Sequence, residues 1–375
     1  VIIYPTKGQK NYDAAKQVLK KLIAKYHVTL ISLGNGTASR ESEAMIVELM
    51  KELNVDLKYV ITDEAGASIY SASKEATEEF PDFDEWQRSA ASIARRIQDP
   101  LAELVKIDPK SIGVGQYQHD MNQKNLGNAL NNVVEDCVNS VGIDLNPASP
   151  ALLSYVSGIN KTLAKSIVSY RETNGSFKNR KELLKVPKLG PKAYEQCAGF
   201  LRIHGGSEAL DATSVHPESY EATKALMEKI GVSEDDIKHG GMKGISKKTK
   251  DTKKLAEELG IGEPTLVDIV KELEKPGRDP RDDMPKPILR SDVLDMKDLK
   301  PGMILKGTVR NVIDFGVFVD IGVHQDGLVH ISQITDRYIK HPLEAVSVGD
   351  IVDVQVLTVD MAKKRIGLTM KIQKQ

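Results

Sequence analysis

Basic side chains are concentrated in residues 151–204 of this chain of 375 residues. The segment contains ten basic and three acidic residues, a local charge of +7, although the net charge of the whole chain is −1. Phosphate affinity depends on the local field and not on the chain total, so the segment is predicted to bind a polyanion. The basic residues are Lys161, Lys165, Arg171, Lys178, Arg180, Lys181, Lys185, Lys188, Lys192 and Arg202, and the acidic residues are Glu172, Glu182 and Glu195.

Two stretches of this segment, residues 156–164 and 186–193, share one pattern. Each has an apolar residue, a tight turn around a central apolar residue, and then a helix start. The first backbone N–H groups of such a helix point outward and, with the helix dipole, hold a phosphate. Lys161 and Lys192 add charge beside them. The pattern predicts contacts with phosphate backbone and not with base sequence. A packing hairpin with a solvated basic rim is the alternative.

Both stretches resemble helix-hairpin-helix motifs, and the pair resembles one tandem-hairpin domain. Each keeps one of the family's two turn glycines. In the first hairpin Asn160, a residue type that tolerates left-handed φ, takes the place of the second glycine. In the second hairpin Lys188 takes the place of the first glycine. A third, weaker likeness in residues 260–266 has Glu263 at the phosphate position and is interpreted as structural. The resemblance implies phosphate binding at Gly158, Asn160, Lys161, Lys188, Gly190 and Lys192.

Two aromatic residues flank a turn near the C terminus. Phe315 lies between Asp314 and Gly316, where no neighbouring side chain covers its ring, and Phe318 follows three residues later. An exposed ring is a stacking platform for a nucleobase, worth about 1–3 kcal/mol per base. The alternative is that these rings belong to the core, and strand alternation leaves the side of Phe318 open.

Five short strand signals with glycine-containing turns surround these aromatics and predict an OB-type barrel. Residues 299–371 resemble the RNA-binding OB module first described in a large ribosomal protein. Arg365 is expected to meet a phosphate or a base, and Asp360 to position Arg365, because a carboxylate repels phosphate. The strands are predicted at 303–312, 315–321, 327–331, 351–359 and 365–370. The resemblance implies an RNA-binding face of Phe315, Phe318, His330, Asp360 and Arg365.

A third set of residues is acidic. Residues 33–37, 63–68 and 113–120 resemble the YqgF domain, a relative of RuvC resolvases with an RNase H-like fold. Such nucleases hold two divalent metal ions on three or four carboxylates, and the resemblance places two of these on Glu64 and Asp120. The first carboxylate belongs on an opening strand before Val1, so we expect an incomplete site, no cofactor, and Mg²⁺ only if the chain is a nuclease. Residues 34–36 are a weak signal for a phosphate-binding loop, and a plain strand-to-helix turn explains them as well.

The elements that position these residues follow from apolar periodicity. Strand-like runs at 1–4, 28–33 and 58–62 alternate with helices, which predicts an α/β layer architecture. The apolar faces of three helices are expected at Met45, Leu49 and Leu53, at Trp86, Ala90, Ile93 and Ile97, and at Leu126, Leu130, Val133, Cys137 and Val141. The predicted domains are an N-terminally truncated YqgF/RNase H-like α/β domain (1–145), a tandem helix-hairpin-helix domain (146–205), a second helical domain with a Pro-rich linker at Pro276, Pro280, Pro285 and Pro287 (206–290) and an all-β OB barrel (291–375).

Composition excludes several classes of protein. A hydrophobic content of 40% and a charged content of 28% are typical of soluble globular proteins. Two cysteines, Cys137 and Cys197, argue against a disulfide scaffold and indicate a reducing compartment. No apolar run is long enough to span a bilayer. The chain begins at Val1 without a signal pattern, so we expect a fragment of a longer, cytoplasmic protein.

The order of these four domains resembles the Tex family of bacterial transcription accessory proteins over the whole chain. It also resembles the core of the eukaryotic elongation factors that travel with RNA polymerase. The resemblance implies a cytoplasmic factor that binds RNA and also DNA, with RNA polymerase as a partner and no membrane. Two alternatives stay open: a metal-dependent nuclease with the hairpins and barrel as substrate clamps, and a scaffold that docks a protein on residues 217–274. The lysines of that segment, which also fit a solvated face, are Lys247, Lys248, Lys250, Lys253 and Lys254.

Overall fold

The computed structural model describes residues 1–4, 11–53, 55–249, 251–277, 279, 281, 296–323 and 325–372. The chain divides into two compact units, one with residues 1–64 and 285–375 and the other with residues 65–284. Three of the predicted linker prolines, Pro280, Pro285 and Pro287, lie outside the described residues, as does Lys250.

The first unit begins with two helices and two strands. The strands pair in parallel, with Leu33 opposite Ile61. Met45 and Leu49 of the second helix are buried, which confirms the predicted apolar face. The strand expected at residues 1–4 is not formed, since an isolated apolar run without a hydrogen-bonded neighbour is not stable as a strand. The elements are α1 (Tyr12–Tyr26), β1 (Leu30–Gly34), α2 (Ser39–Glu52) and β2 (Lys58–Thr62).

The second unit opens with helices only, and in the described residues the next strand after β2 begins at Ile143. The helix that contains Trp86 forms, but this side chain is 78% exposed, whereas Ser92 and Arg96 are buried. In the longest helix Val138 is buried and Val133 is exposed. Of the predicted apolar faces, Leu126 and Val141 are buried, and Ile93 and Ile97 are partly buried. The elements are α3 (Ala67–Ser71), α4 (Lys74–Glu79), α5 (Glu85–Gln98), α6 (Pro100–Leu104), α7 (Pro109–Ile112) and α8 (Gln123–Val141).

The two predicted hairpins follow. Their hydrophobic core extends from Val105 to Ile203 and includes Val138, so they pack together with α8. Cys197 lies in this core, and burial raises the pKa of its thiol to about 12, which makes it unreactive near neutral pH. The elements are β3 (Ile143–Asp144), α9 (Pro150–Leu153), α10 (Lys161–Asn174), α11 (Pro191–Cys197) and β4 (Leu201–Arg202), with β3 and β4 parallel.

The remaining helices of the second unit have a core of their own, with Leu226, Ile245, Leu266 and Leu273 fully buried. Among the described residues, none of the helices has the length and apolarity required to cross a lipid bilayer. The elements are α12 (Tyr220–Ile230), α13 (Glu234–Lys238), α14 (Ile245–Lys248), α15 (Thr252–Leu259) and α16 (Glu263–Glu274).

Arg180 connects the two helical regions of the second unit. Its side chain is 1% exposed, and Nε donates to the carbonyl oxygen of Leu201 at 2.6 Å. One terminal nitrogen donates at 2.7 Å to both the carbonyl oxygen of Val215 and the hydroxyl of Tyr220. The Tyr220 hydroxyl in turn donates to the buried carboxylate of Asp211. The guanidinium is therefore an internal cross-link and not part of a phosphate-binding surface.

The last element is a closed barrel of five strands in the order β5-β6-β7-β9-β8. All pairings are antiparallel except β7 with β9. Inward side chains such as Val317, Val319 and Val329 form its core. The prediction of an OB-type barrel is confirmed, with every strand end within one residue of that expected. The strands are β5 (Ile304–Ile313), β6 (Gly316–Asp320), β7 (Gly327–His330), β8 (Ile351–Asp360) and β9 (Arg365–Thr369).

Candidate nucleic-acid interface

Strand alternation places Phe318 on the outside of the barrel. Its neighbours Val317 and Val319 are completely buried in the core, and successive side chains of a strand point to opposite faces. Phe318 is partly exposed. The question that the sequence left open is therefore settled in favour of the outer face, where the ring is accessible to a ligand.

The strand register brings the other predicted residues to the same face. Phe318 lies opposite Leu328 of β7, and Leu328 lies opposite Gly367 of β9. His330 and Arg365 are each two residues along the strand from these positions and so point to the same side. Both are exposed. Three adjacent strands thus present an aromatic ring, an imidazole and a guanidinium on one surface.

Phe315 lies in the turn that precedes this surface and is 54% exposed. A Cβ atom at Gly316 would collide with the carbonyl oxygen of Val329, so only glycine permits β7 to approach this closely. The approach lets Ile331 N–H donate to the carbonyl oxygen of Phe315 at 2.9 Å. The backbone of Phe315 is thereby fixed while its ring stays in solvent.

Hydrogen bonds orient the imidazole of His330. Its Nδ1 accepts from the backbone N–H of Ser332 at 3.3 Å and lies 2.9 Å from the Ser332 hydroxyl oxygen. Because a backbone N–H can only donate, Nδ1 is the acceptor and the neutral ring carries its proton on Nε2. The imidazole therefore offers an N–H donor to a ligand on the outer face.

Asp360 has a different role from the one expected. Its Oδ1 accepts from the backbone N–H groups of Ala362 at 3.1 Å and Lys363 at 3.0 Å. Although Asp360 lies directly opposite Arg365 in the register, no ion pair joins them among the residues that the structure describes. By accepting from these two amides, the carboxylate orients the β8–β9 turn.

Two lysines beside Arg365 were missed by the sequence analysis. Lys363 and Lys364 occupy the β8–β9 turn and are exposed, and Lys364 has a positive φ of 50°. They add two charges next to the guanidinium at the edge of the barrel face. The run Lys363-Lys364-Arg365, directly before a predicted strand, was the available signal.

The two hairpin turns have the same backbone conformation. Ile159 N–H donates to the carbonyl oxygen of Val156 at 2.9 Å, and the equivalent bond from Leu189 to the carbonyl of residue 186 is 3.1 Å long. The third residue of each turn has a positive φ, 80° at Gly158 and 71° at Lys188, as in a type II turn. Lys188 therefore adopts the left-handed conformation of the glycine whose place it takes.

The left-handed conformation expected for Asn160 is not adopted. Asn160 has an extended backbone (φ −88°, ψ 169°), and its side chain caps α10 by accepting from Leu163 N–H at 2.9 Å. Gly190 has the equivalent conformation (φ −84°, ψ 173°) before α11. The position demands an extended residue before a helix, for which asparagine is among the best capping residues. Left-handed tolerance is not needed there.

The surface charge of this segment is lower than the sequence count. Besides Arg180, the guanidinium of Arg171 donates to the carbonyl oxygen of Leu145 at 2.9 Å, and that of Arg202 to the carbonyl oxygen of Gly277 at 3.2 Å. Burial lowers the pKa of both arginines, the direction expected of a charge moved away from water. Three of the ten basic residues therefore face inward. The lysines predicted to bind phosphate, Lys161, Lys188 and Lys192, are exposed.

A third hairpin joins α15 to α16. Gly260 has a φ of 67°, and Gly262 is extended before α16 (φ −70°, ψ 147°), as at the equivalent positions of the first two turns, but here Ile261 N–H donates to the carbonyl oxygen of Ala256 at 3.1 Å. The carboxylate of Glu263 accepts from the hydroxyl of Thr252. This acid lies where a phosphate would approach, in agreement with the structural interpretation.

The two candidate metal-binding acids belong to different compact units. Glu64 follows β2, and its carboxylate lies over the turn after β1, where a Cβ atom at Gly36 would overlap it. Because a carboxylate repels phosphate, residues 34–36 fit a plain strand-to-helix turn better than a phosphate loop. Asp120 is exposed at the end of a short 3-10 helix. Within the described part of the chain, no three His, Cys, Asp or Glu side chains cluster as metal ligands would.

Four family models match the chain. They are the Tex protein YqgF-like domain (residues 1–98), a helix-hairpin-helix motif (138–202), an HHH domain (208–281) and an S1 RNA binding domain (298–371). The S1 match covers the whole barrel, including Phe315 and Arg365. The HHH match includes the third hairpin.

The chain is also similar to curated proteins along nearly its whole length. It is 55% identical over 369 residues to "Uncharacterized protein YdcI" of Bacillus subtilis, an alignment that covers 98% of the chain and 51% of the relative. It is 53% identical over 355 residues to "Transcriptional accessory protein Tex" of Neisseria gonorrhoeae (94% and 46%). It is 51% identical over 372 residues to "Protein tex" of Bordetella pertussis (99% and 46%). The chain spans about half the length of the curated relatives it matches.

Proposed function

We propose that this chain, which belongs to the Tex family of transcriptional accessory proteins, binds single-stranded RNA through the barrel and phosphate backbone through the hairpins. The observation that carries the proposal is the outer barrel face, where Phe315, Phe318 and His330 lie together with Arg365. Single strands suit such a face because their bases are already free to stack. Titration of labelled single-stranded RNA against the intact chain and its phenylalanine variants tests the proposal.

The hairpins supply the complementary, sequence-independent contacts. Each turn precedes a helix whose first amides point outward, with Lys161 beside the first helix and Lys188 and Lys192 beside the second. Such contacts position a nucleic acid without reading its bases, so DNA is a second ligand of this surface. The family relationship, and not the chemistry of these surfaces, supports a cytoplasmic role in transcription with RNA polymerase as partner.

Replacing Lys161 and Lys192 together by alanine is expected to weaken binding to all nucleic acid sequences alike. Each lysine that contacts a phosphate releases about one counterion on binding. For a single strand, the slope of log affinity against log salt should therefore become less steep by about 1.4 in the double variant, about 0.7 for each phosphate contact. The measurement is a salt titration of affinity for two single strands of unrelated sequence.

The matched control removes two lysines that are already paired. Lys165 lies 3.4 Å from the carboxylate of Glu78, and Lys185 lies 3.5 Å from that of Glu182. The variant Lys165→Ala with Lys185→Ala has the same change in net charge and should alter the slope less. Equal slopes in the wild-type chain and in the Lys161 and Lys192 variant would show that the hairpins are only structural.

The nuclease alternative keeps the two acids as its only support. We expect no cleavage by this chain, because Glu64 packs on the turn after β1 and Asp120 is a solitary exposed acid. Incubation of single strands, duplexes and four-way junctions with Mg²⁺ or Mn²⁺ tests this expectation. Cleavage that disappears in the variant Glu64→Gln with Asp120→Asn would overturn it and establish a metal-dependent enzyme.

A further inference from the structure

A loop between β7 and β8 holds a fully exposed aromatic residue, Tyr338, whose side chain is 87% exposed. The next residue, Ile339, is 6% exposed and packs into the barrel core together with Ile334 and Val346. These apolar anchors on both sides hold the loop against the barrel. The tyrosine ring is thereby presented to solvent from a packed segment.

Hydrogen bonds hold the loop in one conformation. Glu344 Oε1 accepts from the backbone N–H groups of Lys340 and His341, both at 3.2 Å. The guanidinium of Arg337 donates to the carbonyl oxygen of Glu344 at 3.1 Å. The residues on either side of Tyr338 are therefore already ordered in the folded protein. A ligand that stacks on the ring does not have to offset the entropic cost of ordering them.

The loop lies next to the turn that carries Phe315. His341 Nε2 is 3.3 Å from the carboxylate of Asp314, the residue before Phe315. Arg337 and Lys340 are exposed beside Tyr338. Sites for single-stranded nucleic acid combine exposed aromatic rings with positive charge. The loop has both, and it lies next to the proposed base-stacking face.

We propose that Tyr338 is a further base-stacking residue that extends the RNA site from Phe315 along the β7–β8 loop, with Arg337 and Lys340 meeting the adjacent phosphates. The inference rests on the proposed function and deepens it. The barrel face binds the first bases of a strand, and Tyr338 binds a base that only a longer strand supplies.

The test is a length series of labelled oligouridylates, from about 4 to about 16 nucleotides, the range of site sizes of OB folds, titrated against the intact chain. Tyr338→Leu keeps apolar bulk but removes the flat ring, and Tyr338→Phe keeps the ring. We expect Tyr338→Leu to bind the longest strand about fivefold more weakly than wild type, the lower end of the stacking range. We expect the shortest strand to be bound equally by all three proteins.

A spectroscopic measurement reports stacking directly. The chain has one tryptophan, Trp86, which is exposed in the other compact unit and is removed by Trp86→Phe. Adding Tyr338→Trp in that background places the only indole in the loop, and long oligouridylates, but not short ones, should quench its fluorescence.

Two different failures are distinguishable. If Tyr338→Leu binds every length as the wild type does and the introduced indole is not quenched, whereas Phe315→Ala weakens binding, the loop is not part of the RNA site and the inference is wrong. If Phe315→Ala also has no effect, the proposed function itself is wrong. Leu343→Ala, which removes another exposed apolar side chain (58%) of the same loop, should leave all affinities unchanged.

Discussion

Replacing Phe315 and Phe318 together by alanine is expected to remove most of the affinity for single-stranded RNA. Each ring supplies one stacking platform worth about 1–3 kcal/mol, so the double variant should lose about 2–6 kcal/mol if the two contributions add. A loss of 1.4 kcal/mol of binding free energy corresponds to a dissociation constant about tenfold higher. Phe315→Ala alone should weaken binding about 5- to 150-fold. The measurement is a titration of labelled single-stranded RNA against each variant.

Thermal melts of the same variants separate binding from folding. Phe315 is half exposed in a turn, so its removal leaves no core cavity and should cost little stability. Phe318 is partly buried on the outer face, so its replacement by alanine should cost somewhat more stability. Val348→Ala removes another exposed apolar side chain of the barrel (63%) and serves as control. If Phe315→Ala lowers the melting temperature by several degrees yet binds RNA normally per folded molecule, Phe315 belongs to the core.

Arg180→Met is expected to destabilise the second unit by about 3–5 kcal/mol, the usual cost of removing one partner from a buried charged network. The substitution keeps much of the apolar volume but leaves the carbonyl oxygens of Leu201 and Val215 without this donor. It also leaves the buried carboxylate of Asp211 without the nearby positive charge. The expected readout is a lower urea midpoint, with faster hydrogen exchange in β4 and α12.

The neighbouring residue supplies the control for this prediction. Lys181 is exposed, and Lys181→Met removes the same charge from the same 3-10 helix (Arg180–Lys185) without touching the network. Exchange in the barrel strands serves as an internal reference, since Arg180 belongs to the other compact unit. Unchanged exchange in both β4 and α12 of Arg180→Met would show that the guanidinium does not hold the two helical regions together.

The barrel was predictable because short strands with alternating apolar residues and glycine turns are local signals. The side of the barrel to which Phe318 points was not predictable from the sequence. It follows from strand pairing and from the burial of its neighbours Val317 and Val319 in the core. The exposure of Tyr338 likewise depends on the anchoring of Ile339, and no sequence pattern distinguishes the two in advance.

The hairpins show a second limit. The sequence located both turns, but it assigned left-handed tolerance to Asn160, whereas the backbone demands it of Lys188 in the second hairpin. Residue preferences describe averages, and the hydrogen bond that closes each turn decides the individual case. A charge count has the same weakness, since it treats Arg180 as surface although the fold buries it.

The strand order of the barrel has a consequence for synthesis of the chain. The last strand, β9, lies between β7 and β8, so the barrel closes only after residues 365–369 have left the ribosome. Domains made earlier fold first during translation. A nascent or prematurely terminated chain therefore carries the hairpins proposed to hold a phosphate backbone but lacks Arg365 and the completed face proposed to bind bases. The face proposed to bind bases is therefore completed later in synthesis than the hairpins.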